Sequence, residues 1–226
     1  YEVFPSNNLE LALWMESERL MHPVINQIGV DTQNEVVKEE KRTSFDNRPY
    51  GNILTVVKEN MFKKHPYRWN TIGSMKDLDA ATLEEFQAFN KKFYIPNNAV
   101  LVVAGDFEKN QAKEWIQKYF GPIKKGTAVT KQTFVEEPIT QTIKATYQDA
   151  NIQIPMLVAS YRTPSMKTRD ARVLDFISSY LSDGKSSKLY KKIVDEKKMA
   201  LQIGAVGFSQ EDYGMYILYG LPMGTN

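Results

Sequence analysis

The sequence predicts an α+β protein, and three features of its apolar pattern support that class. Over most of the first 120 residues, the apolar side chains recur at the three- and four-residue spacing of amphipathic helices. One strand-sized apolar run, "AVLVVAGD" at residues 99–106, interrupts them. After a polar linker at residues 126–132, the pattern of polar and apolar residues becomes that of strands, which flank two further helices. The pattern therefore predicts helices combined with sheet on both sides of the linker.

Five helices are predicted before the linker. They span about residues 6–28, 32–46, 51–63, 81–93 and 108–120. Ser6 or Asn7 suits the N-cap of the first helix. Pro49 disfavours helical geometry at Arg48 and so ends the second helix.

Strands and helices alternate after the linker. "TQTIKATYQD" at 140–149 alternates polar and apolar residues, and 152–164 is a denser apolar strand, with Pro155 favouring an edge or a bulge. Residues 168–182 and 186–198 are predicted to be helices. A two-stranded hairpin around "QEDYG" is predicted for residues 200–222.

Composition excludes several classes of protein. The chain has 29 Lys and Arg against 27 Asp and Glu, and the charges are interleaved, so a nucleic-acid partner is not expected. The chain has no cysteine, which excludes disulfides and thiolate chemistry. No apolar run is long enough to span a membrane, and the first residues do not resemble a signal peptide. The chain lacks an initiator methionine and stops just after a strand-like run, so we expect both ends to lie inside a longer protein.

Glu40 is the candidate site residue that the helical pattern indicates. On a helical wheel, Glu40 and Gln33 fall within the arc defined by Val36 and Val37, whereas Glu39 falls on the opposite side. The wheel therefore predicts that Glu40 faces the interior. A carboxylate there must be paired, hydrogen-bonded or bound to a metal ion. The helix alone leaves open a structural ion pair and a metal ligand.

The usual motifs of other site chemistries do not occur. His22 and His65 each precede a proline and have no second histidine at metal-binding spacing, so both are predicted to be structural. "VVAGD" is not followed by the glycines of a dinucleotide site, and "GKSS" lacks the earlier glycine of a phosphate loop. A serine–histidine triad has no support in the sequence.

Four stretches in order resemble the insulinase and pitrilysin family of zinc peptidases, which includes the processing peptidases. They are "NNLELALWMESERL", "QNEVVKEEKRTSFDNRPYG", "HPYRWNTIGSMKDLDAATLEEFQAFNKKFYIPNNAVLVVAGDF" and "LSDGKSSKLYKKIVDEKKMA". The resemblance implies two similar domains, each with a mostly antiparallel sheet packed against helices and each truncated here. It places the C-terminal part of a catalytic-type domain at 1–125, the linker at 126–132 and the N-terminal part of an inactive-type domain at 133–226. It also implies that Glu40 is a zinc ligand.

The same resemblance shows what this chain does not contain. The family's inverted H-x-x-E-H motif, which supplies two histidine ligands and the general base, lies about seventy-five residues before the glutamate ligand. No catalytic residue is therefore expected in this chain, and zinc is expected only in the full-length protein. Gln33 occupies the position of a glutamate that supports the site in many relatives. Val194 and Leu201 occupy the positions of an arginine and a tyrosine that hold the substrate.

The implied function is that of a zinc-dependent endopeptidase that cleaves peptides or unfolded polypeptides with a metal-activated water. The fragment alone is expected to be inactive, and a homologous subunit or a second half is expected to supply the substrate-binding donors. Two alternatives remain open: a non-catalytic scaffold subunit with the same fold, and a binding module in which Glu40 forms a structural ion pair. The natural substrate is left open, and the periplasm or cell envelope is the expected compartment.

Overall fold

The computed structural model describes residues 1–224, which contain seven α-helices and three β-strands. The helices are α1 (Leu9–Met21), α2 (Gln27–Lys41), α3 (Ile53–Met61), α4 (Met75–Ala80), α5 (Leu83–Phe93), α6 (Lys109–Phe120) and α7 (Arg169–Ser182). The strands are β1 (Leu157–Pro164), β2 (Ala200–Ser209) and β3 (Tyr213–Pro222). The predicted α+β class is confirmed.

The chain divides into two compact units. The first unit comprises Tyr1–Glu40 and Ile72–Thr133, and the second comprises Lys41–Thr71 and the residues from Phe134 onward. Each unit therefore combines two separate stretches of the chain. The division groups the stretch after α2 with the later part of the chain, whereas the predicted domains follow the sequence order. The predicted ranges 1–125, 126–132 and 133–226 stay a prediction.

The core of the first unit lies where α1 packs against α6. Leu9 and Leu13 of α1 and Ala112 of α6 are almost fully buried, and Val103 and Phe107 pack against them. Apolar residues four apart on α1 form one stripe, so that a single face of this helix can enter the core.

The second unit is built on an antiparallel sheet with strand order β1-β3-β2. The predicted hairpin is confirmed as β2 and β3, and α7 packs against β2. The sheet and α3 share a core in which Phe62 is completely buried. Its other buried members are Val57, Met61, Met215 and Ile217.

Local capping signals explain where several helices begin and end. Thr82 and Glu85 form a reciprocal capping box at the start of α5. The predicted helix 6–28 is wrong in extent, because α1 ends at Met21 and Pro23 disfavours helical geometry at the residue before it. The Asn26 side chain accepts a hydrogen bond from the Gly29 N–H (2.8 Å), so that α2 begins at Gln27 rather than near residue 32.

Two predicted strands are not strands within residues 1–224. Residues 99–106 and 140–149 belong to no sheet. A cavity of about 940 Å³ is lined by residues 138–146, by residues 158–162 of β1 and by Asn60 and Met61. A strand needs a hydrogen-bonded neighbour, and a favourable apolar pattern does not supply one. Among residues 1–224, no helix is long and apolar enough to cross a membrane.

Candidate metal-ligand site and substrate slots

The packed face of α2 is defined by contacts with α4. Val30 is buried, and Asn34 donates a side-chain hydrogen bond to the Leu78 carbonyl (3.2 Å). The Lys38 ammonium lies 2.6 Å from an Asp79 carboxylate oxygen, and this hydrogen bond raises the pKa of Lys38. Because residues at spacings of four share one side of a helix, these contacts fix the orientation of α2 within the first unit.

Glu40 lies outside that packed face. Gln33 and Glu40 are both exposed, and Val36, on the same stripe, is 53% exposed. The prediction that Glu40 faces the interior is therefore wrong for this chain. On the wheel, the packed stripe containing Val30 and Asn34 is centred about 80° from Gln33. Val36 and Val37 alone do not determine which of these two sides of α2 is packed.

The residues present do not fit a zinc ion by themselves. Within residues 1–224, no three His, Cys, Asp or Glu side chains lie close enough together to hold a metal ion. A catalytic zinc needs about three protein ligands and an open position. Glu40 could contribute one carboxylate oxygen to a site whose other ligands come from elsewhere. The assignment of Glu40 as a ligand and of Gln33 as its support stays a prediction.

A wide helical turn follows Glu40 directly. Residues Arg42–Asp46 form a π-helix, closed by the hydrogen bond from the Asn47 N–H to the Arg42 carbonyl (2.8 Å). Lys41 and Asp46 pair at 2.7 Å, at the five-residue spacing that a π-helix places on one side. Single π-turns often occur beside functional sites. The apolar pattern predicts an ordinary α-helix through residue 46, and the Lys–Asp pair five residues apart is the sequence signal for the wider turn.

The connection from this turn to α3 is held by close backbone packing. A Cβ atom on Gly51 would lie 2.1 Å from the Phe45 carbonyl oxygen, so only glycine fits there. The Tyr50 N–H donates to the Asp149 carboxylate (3.0 Å), and the Tyr50 hydroxyl donates to the Ile154 carbonyl (2.6 Å). These bonds fix the chain after the π-turn within the second unit.

The two predicted substrate slots flank a short connection before β2. Val194 is half-buried in a second π-helix, Tyr190–Glu196, and Leu201 is 47% exposed. The register of β2 against β3 shifts between Ala200 and Gln202, so Leu201 lies at a β-bulge. Val194 and Leu201 therefore both lie in irregular backbone, a π-helix and a β-bulge, and such irregularities change the direction in which a side chain points. Neither apolar side chain can donate a hydrogen bond to a substrate.

A buried carboxylate that no sequence motif indicates, Glu136, organises the second unit. One Glu136 oxygen accepts hydrogen bonds from three successive backbone N–H groups, those of Lys63, Lys64 and His65 (2.8, 2.6 and 2.6 Å). The other oxygen lies 3.2 Å from the Arg162 guanidinium. Burial raises the pKa of Glu136, but the three N–H groups and Arg162 outweigh burial and hold it below its usual value.

His65 belongs to the same buried centre. His65 is 4% exposed, and its ring packs against Phe62, Tyr67 and Tyr213. Its Nδ1 accepts a hydrogen bond from the Tyr67 N–H (3.1 Å), and Nε2 lies 3.3 Å from Asp212. Both ring nitrogens are therefore engaged in protein contacts, as the predicted structural role requires.

Comparison with known proteins places the chain in a family. Residues 80–221, more than half of the chain, match the family model described as the peptidase M16 inactive domain. The chain belongs to the peptidase M16 family. The resemblance to zinc peptidases that the sequence indicated is thereby confirmed, and with it the expectation of an inactive-type domain.

Individual relatives of this M16 chain are about twice its length. Zinc protease PqqE of Helicobacter pylori is 27% identical over 212 residues, which cover 93% of this chain and 48% of the relative. The probable inactive metalloprotease YmfF of Bacillus subtilis is 24% identical over 200 residues, covering 85% and 46%. A crystal structure of a protease from Helicobacter pylori superimposes with a TM-score of 0.86 at 26% identity, covering 96% of this chain and 53% of that one. The M16 chain therefore spans about half the length of the curated relatives it matches.

Proposed function

We propose that this M16 chain is part of a zinc-dependent endopeptidase that hydrolyses peptides or unfolded polypeptides, and that Glu40 is its contribution to the zinc site. The observation that carries the proposal is the exposed Glu40 carboxylate on a helix whose other side is anchored. Membership of the family and relatives named zinc proteases support the same chemistry.

The anchoring of α2 is what would make Glu40 a useful ligand. Lys38, two residues earlier, pairs with Glu35 (2.7 Å) and Asp79 (2.6 Å), and these bonds restrict rotation of the helix. A ligand that is held in position loses less conformational entropy when it binds a metal ion. Gln33 lies two turns earlier on the same stripe and carries both a hydrogen-bond donor and an acceptor. Bound zinc would supply Lewis acidity and an activated water in the complete site.

The remaining parts of the active site must come from outside this chain. The general base and two further ligands are expected from the inverted H-x-x-E-H motif, which this sequence does not contain. Val194 and Leu201 provide no hydrogen-bond donor for a substrate backbone or an oxyanion. We therefore propose that a homologous subunit or a second half supplies those donors, and that this chain alone does not cleave peptides.

The decisive test is a pair of substitutions in the full product of the gene. We expect Glu40→Gln to lower bound zinc well below one ion per chain, because an amide oxygen is a poorer zinc ligand than a carboxylate. Cleavage of an unfolded test polypeptide should fall by about 1,000-fold, since metal-ion catalysis is worth several kcal/mol. Zinc is measured by mass spectrometry, cleavage by the release of new amino termini, and folding by circular dichroism.

Glu39→Gln is the matched control, because it removes the same charge from the neighbouring exposed residue. This control variant should keep both zinc and activity. Equal zinc content in the two variants, with the fold of each intact, would overturn the ligand assignment.

A second candidate is a non-catalytic scaffold subunit of a peptidase complex. The apolar residues at 194 and 201 favour it, and one relative is named a probable inactive metalloprotease. Zinc content of the unmodified full gene product separates the two candidates. A stoichiometric ion that is lost on Glu40→Gln supports the peptidase, whereas zinc-free protein that still binds a peptidase partner supports the scaffold. The periplasm or cell envelope stays a prediction for either candidate.

A further inference from the structure

The segment that contains Val194 and ends just before Leu201 is rich in lysine. Residues 183–198, the lysine segment, contain six lysines against three acidic residues and so carry a net charge of +3. The whole chain carries +2, so the remainder of the chain is nearly neutral. All six lysines of the segment are exposed: Lys185, Lys188, Lys191, Lys192, Lys197 and Lys198. Positive charge is therefore concentrated beside the two predicted substrate slots.

The π-helix Tyr190–Glu196 lies in the middle of the lysine segment and has a packed side and a cationic side. It packs against β2, with Val194 half-buried. Lys191 and Lys192 lie on its exposed side, and Lys192 is paired with Glu196 (3.0 Å). Within residues 1–224, the other five lysines of the segment form no ion pair. Exposed ammonium groups without a carboxylate partner keep their attraction for an anionic ligand.

Lys198 has a strained backbone at the turn between this π-helix and β2. Its φ is 50°, in the left-handed region, where glycine is favoured because it has no Cβ atom. The Met199 N–H beside it donates to the Ile193 carbonyl (2.9 Å), which fixes the turn. Among residues 1–224, the Lys198 side chain finds no hydrogen-bond or ion-pair partner that would offset the strain. Strained residues cluster at functional sites, which points to a ligand for this side chain.

Two large apolar side chains directly after the lysine segment are also exposed. Met199 is 58% exposed and Leu201 is 47% exposed. Cations beside exposed apolar groups complement a polypeptide in which acidic and apolar residues are interspersed. The exposure of the lysines does not depend on the length of the chain, because ammonium groups are almost never fully buried without a partner. We therefore expect the lysine segment at the surface of the full gene product as well.

We propose that the lysine segment binds the acidic side chains of unfolded polypeptide substrates. The substrate class is then polypeptides that carry Asp or Glu beside apolar residues, and this inference rests on the proposed peptidase function. Each ammonium group offers three N–H donors and a full charge to a carboxylate, whereas Val194 and Leu201 offer no donor. The segment thus selects substrates by side-chain charge, while donors from outside this chain hold the substrate backbone.

The first test measures binding of unstructured peptides to the full gene product, with a metal chelator present so that no peptide is cleaved. Two fluorescent peptides share one sequence, except that the glutamates of the first are glutamines in the second. At low salt, the glutamate peptide should bind about 10-fold more tightly, because several exposed ion pairs of modest strength add up. This preference should largely disappear at about 1 M salt, where the Debye length is about 3 Å.

Substitutions then locate the binding site. The triple lysine variant, with Lys191→Gln, Lys197→Gln and Lys198→Gln together, should lose most of the preference for the glutamate peptide. The matched control removes the same charge from three exposed lysines of the first unit and should bind both peptides as wild type does. Its substitutions are Lys109→Gln, Lys113→Gln and Lys124→Gln. Circular dichroism verifies that each variant is folded.

A single substitution separates ligand binding from a structural role of Lys198. Lys198→Gly should raise the melting temperature, because glycine adopts a positive φ without strain. It should at the same time weaken binding of the glutamate peptide by about 3-fold, since one exposed ion pair is lost. A residue that served only the fold would not combine higher stability with weaker binding.

The proposal fails on any of three results. One is equal affinity for the two peptides at low salt. Another is equal binding by the triple lysine variant and its control. The third is tighter binding of a single-stranded nucleic acid or of anionic vesicles through the same lysines.

These outcomes are distinguishable from a failure of the proposed function. Loss of zinc on Glu40→Gln, together with unchanged peptide binding in the triple lysine variant, would reject the lysine segment and leave the proposed function standing. Unchanged zinc in Glu40→Gln, together with lost peptide binding in the triple lysine variant, would reject only the zinc-ligand assignment.

Discussion

Removing the charge of Glu136 should destabilise the second unit more than any exposed charge can. In Glu136→Gln, the amide oxygen can still accept from the N–H groups of Lys63, Lys64 and His65. The amide NH₂ group, however, then faces the Arg162 guanidinium, so that two donors oppose each other where an ion pair stood. The Arg162 side chain is 11% exposed and is left without a compensating charge.

The size of the effect follows from these contacts. Breaking a buried ion pair by changing one partner costs about 3–5 kcal/mol. The glutamine oxygen preserves part of the hydrogen bonding, so we expect the lower end, about 3 kcal/mol of unfolding free energy. For a chain of this size, that loss corresponds to about 6–12 °C in melting temperature. Glu137→Gln, which removes only the exposed pair with Lys64, should cost at most about 1 kcal/mol.

Urea unfolding of the 226-residue chain, followed by circular dichroism, measures both variants. Because the folded-state pKa of Glu136 is lowered, its stabilisation is complete above the unfolded-state pKa, near 4.5, and is lost as the pH falls through the folded-state pKa. The difference between wild type and Glu136→Gln should therefore be constant near neutral pH and should shrink below about pH 4. A Glu136→Gln variant within about 0.5 kcal/mol of wild type at pH 7 would refute this reasoning.

Two further substitutions test the local reasons for the fold. Gly51→Ala should destabilise the chain by about 1–3 kcal/mol, because its Cβ atom would meet the Phe45 carbonyl and neither backbone can yield easily. Gly29→Ala is the control, since its nearest neighbour is a side-chain atom at 3.3 Å, and equal urea midpoints for the two variants would contradict the argument. Thr82→Ala should cost about 1 kcal/mol by removing the capping box with Glu85, and Thr82→Ser should restore most of it; an unchanged midpoint in Thr82→Ala would show that the cap contributes nothing.

Elements with local signals could be predicted from the sequence. The helix at 83–93 has a cap and an apolar stripe, and the hairpin at 200–222 joins two strands through a short turn. Both are predictable because the signals that specify them, a cap or a short turn beside an apolar pattern, lie within a few residues of each other. The predicted strands at 99–106 and 140–149 belong to no sheet within residues 1–224, because a strand needs hydrogen-bonded neighbours that a local apolar pattern does not reveal.

For the candidate site too, local features could be predicted from the sequence, whereas contacts between distant residues could not. The sequence placed Gln33 and Glu40 on one stripe of a helix, and only the contacts of Asn34 and Lys38 revealed that a different stripe is packed. The sequence does not predict that Glu136 is buried, because nothing in the surrounding residues distinguishes it from the neighbouring Glu137. The three N–H groups and the arginine that hold Glu136 come from separate parts of the chain.

The central claim is that Glu40 binds zinc in the complete protein. The most direct measurement is anomalous diffraction at the zinc edge from crystals of the full gene product. We predict a zinc peak about 2.0–2.2 Å from a Glu40 carboxylate oxygen, with two histidines completing the protein ligands. A zinc ion bound without Glu40, at a site where this carboxylate stays more than about 4 Å away, would contradict the account.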